Sequence, residues 1–385
     1  MKKTTIYLSL AVVFLLSTAS FVAYNKYKIS SEKTLHSAPE MPVDEDNIQE
    51  WKGIVFAPKY KTGFEDYLND FESLVTEALS PLGINLIIFD MHWSNYRFTS
   101  IPVPQVKPSF GVVTAEDAKK LADVCRRNGI HVMVGMNFLT HQSYGQLLKA
   151  FPSYQWPGNE KLWDPLNTEV NKTAFAMADE LIDSFGAEGF HVGLDEGWGF
   201  DAKKHPGAKD YSTAELFAKA VTEYHDHIVN EKGVEMMMWS DMLEGRYADA
   251  PVGYALSMIP KDIILASWDY DCHWKRYPGL GMLIEKIIPV CPWDSKWPIE
   301  LADNGFRVMV SPWKNSRAAE ELVKATGKIK SNQFKGILYT TWSAEVVSDL
   351  KDALLETRPK NKLDPTIVGI AESIKRTIGT TALND

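Results

Sequence analysis

The chain has 385 residues, of which 45% are hydrophobic and 24% are charged, and its formal net charge is −9. This composition predicts a soluble globular protein with a sizeable core, and the negative charge argues against nucleic acid or an anionic membrane surface as the main partner. The three cysteines (Cys125, Cys272 and Cys291) are too few for a disulfide framework and lack metal-site spacing, although Cys272 could pair with Cys291.

Residues 1–24 predict a targeting segment. Lys2 and Lys3 precede a long apolar run that begins at Ile6. Small residues up to Ala19 suit cleavage by signal peptidase, but the run is almost long enough to remain as a membrane anchor. Both alternatives stay open, and in either case we expect the rest of the chain to be exported to the periplasm or the extracellular space.

Residues 25–48 are polar and aperiodic, which predicts a linker to a folded domain over residues 49–385. In that domain, strand-like apolar runs alternate with amphipathic helical patterns. The strands are predicted at residues 53–57, 85–89, 131–136, 189–194, 235–239, 263–267, 306–310 and 336–339. The helices are predicted at residues 67–78, 115–127, 173–184, 213–229, 283–288 and 318–329.

Eight strands joined by mostly helical crossovers predict a closed (β/α)8 barrel. The alternative is an open, doubly wound parallel sheet. That fold normally has a glycine-rich phosphate-binding turn after its first strand. Here the first strand is followed by Ala57-Pro58-Lys59-Tyr60, which is not such a turn.

In a closed barrel the carboxyl ends of all strands meet at one rim, where catalytic residues collect. Six of the eight predicted strand ends carry a tryptophan or an acid. Aromatic faces hold the C–H faces of sugars, and the chain contains 12 tryptophans and 15 tyrosines. A rim with tryptophan walls and carboxylates therefore predicts cleavage of glycosidic bonds.

The fourth predicted strand ends in two consecutive acids, Asp195 and Glu196. Neighbours on a regular strand point to opposite faces, so both acids can serve one site only if the chain twists out of the pleat. Gly193 and Gly197 on either side predict such a twist. Carboxylates this close are poorly placed to stand on opposite sides of a scissile bond, which favours a substrate that supplies its own nucleophile.

The pattern His-x-Gly-x-Asp-Glu at residues 191–196 resembles the hallmark of glycoside hydrolase family 20, the β-N-acetylhexosaminidases. The likeness extends over about residues 51–375 and is strongest to single-barrel members, which lack a small α/β domain before the barrel. The further matching residues are His141 on the long loop after the third strand and Trp239, Trp268, Trp313 and Trp342 at later strand ends.

This resemblance implies retaining, substrate-assisted cleavage of terminal β-linked N-acetylhexosamine, with amino-sugar glycans as the partner and no metal or organic cofactor. Glu196 would act as general acid and then base, and Asp195 would orient the 2-acetamido group of the substrate. The implied sugar-binding residues are His141, Trp239, Trp268, Asp269, Tyr270, Trp313, Trp342 and Glu345.

Three departures from the family pattern leave the sugar specificity open. The first strand lacks the arginine that many members carry, and Lys59 is the nearest cation. Leu194 stands where a small residue is usual, and Glu345 lies one residue further from Trp342 than is usual. The alternatives are a glycosidase of altered sugar specificity and a non-catalytic glycan-binding barrel.

A metal-dependent barrel is a further alternative. Activity that a metal chelator does not change would exclude it. Its ligands would be Asp90, His141, Asp195 and Asp241. The pair His225 and His227 also suggests a metal site, but residues two apart on a helix do not share a face. We therefore predict that these two histidines lie on a solvated helix surface.

Overall fold

The computed structural model describes residues 50–61, 63–101, 110–145, 147–244, 251–274, 289–290, 296–330, 332–342 and 347–379. The predicted targeting segment and linker, the helix predicted at residues 283–288, and the residues Cys291 and Glu345 lie outside these ranges. Within the described ranges, no helix is both long enough and apolar enough to cross a membrane.

Eight of the described strands are parallel and close into a barrel in the order β1, β2, β3, β6, β7, β8, β11 and β12. The strands are β1 (Trp51–Phe56), β2 (Leu86–Asp90), β3 (His131–Phe138), β4 (Gln155–Trp156), β5 (Asn159–Trp163), β6 (Gly189–Gly193), β7 (Glu235–Trp239), β8 (Ile264–Trp268), β9 (His273–Trp274), β10 (Pro289–Val290), β11 (Arg307–Ser311) and β12 (Phe334–Tyr339). The predicted (β/α)8 barrel is confirmed. The open-sheet alternative is wrong, because β1 pairs with both β2 and β12.

The helices surround the barrel, and five of the six predicted ones are present, one with its predicted bounds and four with ends shifted by a few residues. The described α-helices are α1 (Phe64–Leu74), α2 (Ala115–Arg127), α3 (Gln142–Gly145), α4 (Leu147–Ala150), α5 (Thr168–Phe185), α6 (Thr213–His225), α7 (Trp297–Asp303), α8 (Ser316–Ala325), α9 (Val347–Leu355) and α10 (Pro365–Thr377). The π-helical turns Val75–Leu79 and Asp226–Glu231 extend α1 and α6. The sequence did not predict the short helices or the C-terminal pair α9 and α10.

Apolar side chains fill the barrel itself, because alternate residues of a barrel strand point inward. This inner core contains Trp51, Val55, Leu86, Ile88, Met133, Met237, Trp239, Ile264, Ala266, Met309 and Leu338. Trp239 comes from the carboxyl end of β7, and the partly buried Trp268 and Trp342 pack against the same cluster. The upper layer of the core is therefore continuous with the rim where the acids were predicted.

The long segment after β3 was predicted as a loop over residues 139–167, but it contains secondary structure of its own. Helices α3 and α4 are followed by the antiparallel hairpin β4–β5. Trp156 and Trp163 of this hairpin are 1% and 0% exposed. Nε1 of Trp163 donates a hydrogen bond to the Tyr224 hydroxyl at 3.1 Å. Trp163 thus anchors the segment to α6, and Trp156 packs against Phe200 and His205, so the segment is held at two points beside the barrel.

His225 and His227 do not lie on a solvated surface, so that prediction is wrong. His225 is 6% exposed, and its Nε2 lies 2.9 Å from Asp262 Oδ1. His227 lies with Nε2 2.8 Å from Asp179 Oδ1 and with Nδ1 2.8 Å from Glu231 Oε2. The two histidines contact different partners on different sides of the helix, as their spacing requires.

The N-terminus of α2 offers a test of local stability. The Thr114 hydroxyl accepts a hydrogen bond from the Asp117 N–H at 3.2 Å, and the Asp117 carboxylate accepts from the Thr114 N–H at 3.0 Å. Thr114→Ala removes one half of this capping box and should lower the free energy of unfolding by about 1 kcal/mol in urea titrations. Thr114→Ser keeps the hydroxyl and should lose much less. Equal losses in the two variants would contradict the capping role.

Candidate active site

The acid pair leaves the barrel at the carboxyl end of β6, a strand that is buried along its whole length. The preceding helix, α5, begins after the capping side chain of Asn167 and ends at Gly186, which has a left-handed φ of 55°. The Arg126 guanidinium donates to the Gly186 carbonyl at 2.7 Å. These contacts set the start of β6 and hence the point where Asp195 and Glu196 emerge.

The backbone turns out of the strand immediately after β6. The φ angle is 72° at Gly193, 75° at Leu194 and 49° at Glu196, which are left-handed values. A Cβ at Gly193 would lie 1.8 Å from Asn137 Oδ1, so only glycine fits there. The predicted twist is present, but the prediction that Gly197 supplies it is wrong. Leu194 and Glu196 adopt the left-handed conformation instead.

His141 contacts both acids. Its Nε2 lies 3.1 Å from Asp195 Oδ2 and 3.7 Å from Glu196 Oε2. Burial favours the neutral ring, but the contact with Asp195 and the charges of Glu196 and Asp241 outweigh it and raise the pKa of this histidine. Since the two carboxylates reach the same ring nitrogen, the consecutive acids face the same space around His141, which we call the hollow.

His191 is buried on β6 and stabilises the turn from inside the barrel. Its Nδ1 accepts a hydrogen bond from the Gly193 N–H at 3.0 Å, which places the proton of the neutral ring on Nε2. Burial, opposed by the charge of Asp195, lowers the pKa of His191 to about 4, so the ring is neutral at pH 7. The ring centroid lies 4.4 Å from that of Trp239, which links β6 to the aromatic side of the rim.

Asp90, at the end of β2, belongs to the same electrostatic cluster. Burial and the charge of Asp195 raise the pKa of Asp90 to about 7, while Lys59 and His141 act in the opposite direction. Burial and the charge of Lys59 lower the pKa of the nearby His92 to about 4. The sequence proposed Asp90 only as a ligand in the metal-dependent alternative, and its position at a strand end was the available signal.

Asp241, just after β7, is 0% exposed and contacts the backbone of the acid-bearing turn. Its Oδ2 accepts a hydrogen bond from the Glu196 N–H at 3.0 Å. The sequence proposed Asp241 only as a ligand in the metal-dependent alternative. Across the described part of the chain, no group of three or more histidine, cysteine, aspartate or glutamate side chains is arranged to hold a metal ion.

Five aromatic side chains from four neighbouring strand ends form a continuous surface, the aromatic wall: Trp239, Trp268, Tyr270, Trp313 and Trp342. Trp239 and Trp342 meet edge to face with centroids 6.1 Å apart. Nε1 of Trp342 donates to the Tyr270 hydroxyl at 2.9 Å, and Nε1 of Trp313 donates to the Trp342 carbonyl at 3.2 Å. Trp268 stacks on Tyr270 at 4.9 Å. These contacts hold the rings in place as a rigid surface that suits the C–H face of a sugar.

The aromatic wall is within electrostatic reach of the acids. Burial raises the pKa of the Tyr270 phenol, and the charges of Asp195 and Asp241 act in the same direction. Asp269, between two members of the wall, is 5% exposed, whereas the predicted partner Glu345 lies outside the described residues.

The cysteines are not part of this rim chemistry. Cys272 is disulfide-bonded, and Cys125 is free and buried. Burial raises the pKa of the Cys125 thiol to about 12, which keeps it protonated at neutral pH. Cys125 therefore acts as a small apolar core residue of α2.

Comparison with known protein families matches residues 92–354 to the model of the glycosyl hydrolase family 20 catalytic domain. The matched region runs from the end of β2 into α9 and includes the acid pair, His141 and the aromatic wall. Comparison with curated proteins finds no match.

Solved structures of similar fold include the chitobiase of Flavobacterium johnsoniae, with 16% identity, a TM-score of 0.57, and coverage of 84% of this chain and 48% of that one. A mutant β-hexosaminidase of Streptomyces plicatus in complex with its product GlcNAc has 12% identity, a TM-score of 0.55 and coverage of 84% and 63%. Dispersin B has 15% identity, a TM-score of 0.52 and coverage of 86% and 100%. The chain thus spans about half of the chitobiase and all of dispersin B, and at these identities the likeness establishes the fold.

Asp90→Asn should change how stability depends on pH. The pKa of Asp90 is about 7 in the folded protein against an ordinary value of 3.8. The folded state therefore holds an extra proton between these values, and the free energy of unfolding falls as pH rises through that window. Asparagine does not titrate in this window. In urea titrations the free energy of unfolding of the variant should therefore rise, relative to that of the wild type, as the pH increases from about 4 to about 7. A pH-independent difference between the two proteins would contradict the shift.

Proposed function

Because the chain belongs to glycosyl hydrolase family 20, we propose that it cleaves terminal β-linked N-acetylhexosamine from glycans with retention of configuration. The proposed nucleophile is the carbonyl oxygen of the substrate's own 2-acetamido group, and the proposed catalytic pair is Asp195 and Glu196. One observation carries this proposal. Nε2 of His141 lies 3.1 Å from Asp195 and 3.7 Å from Glu196, so the consecutive acids face the same hollow.

Glu196 is the proposed general acid and then base. Its side chain is 37% exposed, against 20% for Asp195, so it is the more accessible of the two to a leaving group that departs toward solvent. In the first step it gives its proton to the glycosidic oxygen as the bond to the anomeric carbon breaks. In the second step it takes a proton from the water that opens the cyclised intermediate.

Asp195 is the proposed partner of the acetamido group. Its Oδ2 contacts His141, while its Oδ1 is buried and makes no hydrogen bond to the described residues. A buried carboxylate oxygen in this state is stabilised by any donor that reaches it, and the acetamido N–H is one. Holding that N–H directs the carbonyl oxygen toward the anomeric carbon. The carboxylate charge then stabilises the positive charge that develops as the ring closes.

The aromatic wall is the proposed surface for the terminal sugar. Trp239, Trp268 and Trp342 present apolar ring faces and edges, while Asp269 and Tyr270 offer polar atoms for ring hydroxyls. Rings held by one another lose little freedom when a sugar binds, which favours affinity. We also propose Glu345 as a hydroxyl partner, from its place in the sequence alone.

We propose that the folded domain is exported. The apolar N-terminal segment with its two leading lysines supports this proposal. The disulfide at Cys272 also supports it, since disulfides persist in oxidising compartments and are rare in the cytosol.

Glu196→Gln tests the acid role. Removal of a general acid should lower kcat/KM for a phenyl or alkyl N-acetylglucosaminide by about 100-fold or more, because the poor leaving group needs the proton. A dinitrophenyl leaving group needs no proton, so kcat/KM for that substrate should change little. Equal losses on the two substrates would contradict the role. Binding of amino-sugar glycans without turnover by the wild type would favour the non-catalytic barrel.

Asp195→Ala tests the acetamido role separately. Loss of a charge-assisted hydrogen bond should weaken binding of an N-acetylglucosamine thiazoline, a mimic of the cyclised intermediate, by about tenfold to 100-fold in calorimetry. Glu196→Gln is the matched control and should retain most of the affinity, because Glu196 is proposed to act on the leaving oxygen. Unchanged thiazoline binding by Asp195→Ala would refute the assignment.

A further inference from the structure

Two consecutive backbone N–H groups of the acid-bearing turn donate hydrogen bonds to two consecutive side chains that follow β7. The Glu196 N–H donates to Asp241 Oδ2 at 3.0 Å, and the Gly197 N–H donates to Met242 Sδ at 3.3 Å. We call Asp241 and Met242 the clamp. The carbonyl groups of the same two residues accept from the Trp198 N–H at 2.6 Å and the Phe200 N–H at 3.0 Å. The clamp therefore supplies the acceptors for the two N–H groups of this turn.

The clamp is itself fixed to the barrel. Asp241 opens the short 3₁₀ turn Asp241–Leu243 directly after β7 and is fully buried. The preceding residue, Ser240, donates from its N–H at 3.1 Å and from its hydroxyl at 3.2 Å to the Ala266 carbonyl on β8. Its hydroxyl also contacts the buried carboxylate of Glu244. Asp241 therefore transmits the position of β7 and β8 to the turn after β6.

The turn needs such support because its backbone conformation is unfavourable. Glu196 has a φ of 49°, and left-handed values disfavour any residue with a Cβ. A strained conformation persists only where surrounding contacts over-determine it. The hydrogen bond from the Glu196 N–H to the buried Asp241 oxygen is such a contact, and loss of the acceptor would leave the N–H without this partner. The strain at Glu196 and the acceptor at Asp241 therefore belong to one local arrangement.

We infer that Asp241 is a positioning residue for Glu196, which holds the acid in its left-handed conformation and so keeps its carboxyl group at the leaving oxygen. The inference rests on the proposed acid role of Glu196. Without the clamp, the turn relaxes toward an ordinary φ and the Glu196 side chain swings from the hollow. The clamped peptide group joins Asp195 to Glu196, but the Asp195 side chain has its own contact with His141. Loss of Asp241 should therefore impair proton delivery and leave recognition of the acetamido group intact.

The test compares Asp241→Ala with Asp241→Asn. Asp241→Ala removes the acceptor and should lower kcat/KM for the phenyl N-acetylglucosaminide by about tenfold or more. It should change kcat/KM for the dinitrophenyl substrate and the affinity for the thiazoline by less than about threefold. Asp241→Asn keeps an oxygen that can accept from the Glu196 N–H and should restore most of the activity. Asp66→Ala, which removes an exposed carboxylate on α1, should leave both substrates unaffected.

A purely structural role for Asp241 would slow both substrates alike, and that result would overturn the inference. Equal losses in Asp241→Ala and Asp241→Asn would also overturn it, because they would assign the effect to charge. If Asp241→Ala does not fold, Met242→Leu carries the test: it keeps the side-chain bulk, removes the sulfur acceptor, and should slow only the phenyl substrate.

An inactive wild type, or equal losses in Glu196→Gln, would refute the proposed function itself. A selective loss in Glu196→Gln with none in the clamp variants would refute the clamp alone.

Discussion

The contact of His141 with both Asp195 and Glu196 is the interaction on which the rest of the site depends. Two neighbouring carboxyl groups are costly to hold together unless a hydrogen-bond donor reaches them. The charge of Asp241 also acts on His141. His141, whose pKa these acids raise, is such a donor, and the segment after β3 holds it beside them.

The same constraint explains why the backbone is strained at this point. Consecutive residues of a regular strand would send Asp195 and Glu196 to opposite faces, and then one histidine could not contact both. Left-handed φ values at Gly193, Leu194 and Glu196 remove that alternation. Contacts from other strands offset the strain. The neutral His191 ring also supports Gly193, because its Nδ1 accepts a hydrogen bond from the Gly193 N–H. Strain of this kind, concentrated beside polar groups in a rim, is typical of a functional site.

Much of the fold could be predicted from the sequence because it depends on local patterns. Continuous apolar runs located all eight barrel strands, and the break from Val192 into Asp195 and Glu196 marked the rim. The aromatic wall followed from the same rule, since every member lies at or just after the end of a barrel strand. These features require only the strand periodicity and the known polarity of parallel barrels.

The remaining features of the site depend on contacts between distant parts of the chain. The left-handed conformation of Glu196 is held by Asp241, 45 residues away, and no pattern near Glu196 indicates it. The raised pKa of Asp90 arises from burial and from the charge of Asp195. Asp90 ends β2, whereas Asp195 follows β6, the second barrel strand after β2. His227 was predicted as solvated from its helical spacing, yet tertiary packing surrounds it with carboxylates.

A crystal structure of the protein with N-acetylglucosamine thiazoline bound would test the central claim most directly. The account predicts one ligand between the two acids, with the Asp195 carboxylate on the nitrogen derived from the acetamido group and the Glu196 carboxyl group on the side of the anomeric carbon. It also predicts the sugar ring against Trp239 and Trp342. A ligand bound away from either carboxylate, or one of the two acids turned from the hollow into solvent, would contradict it.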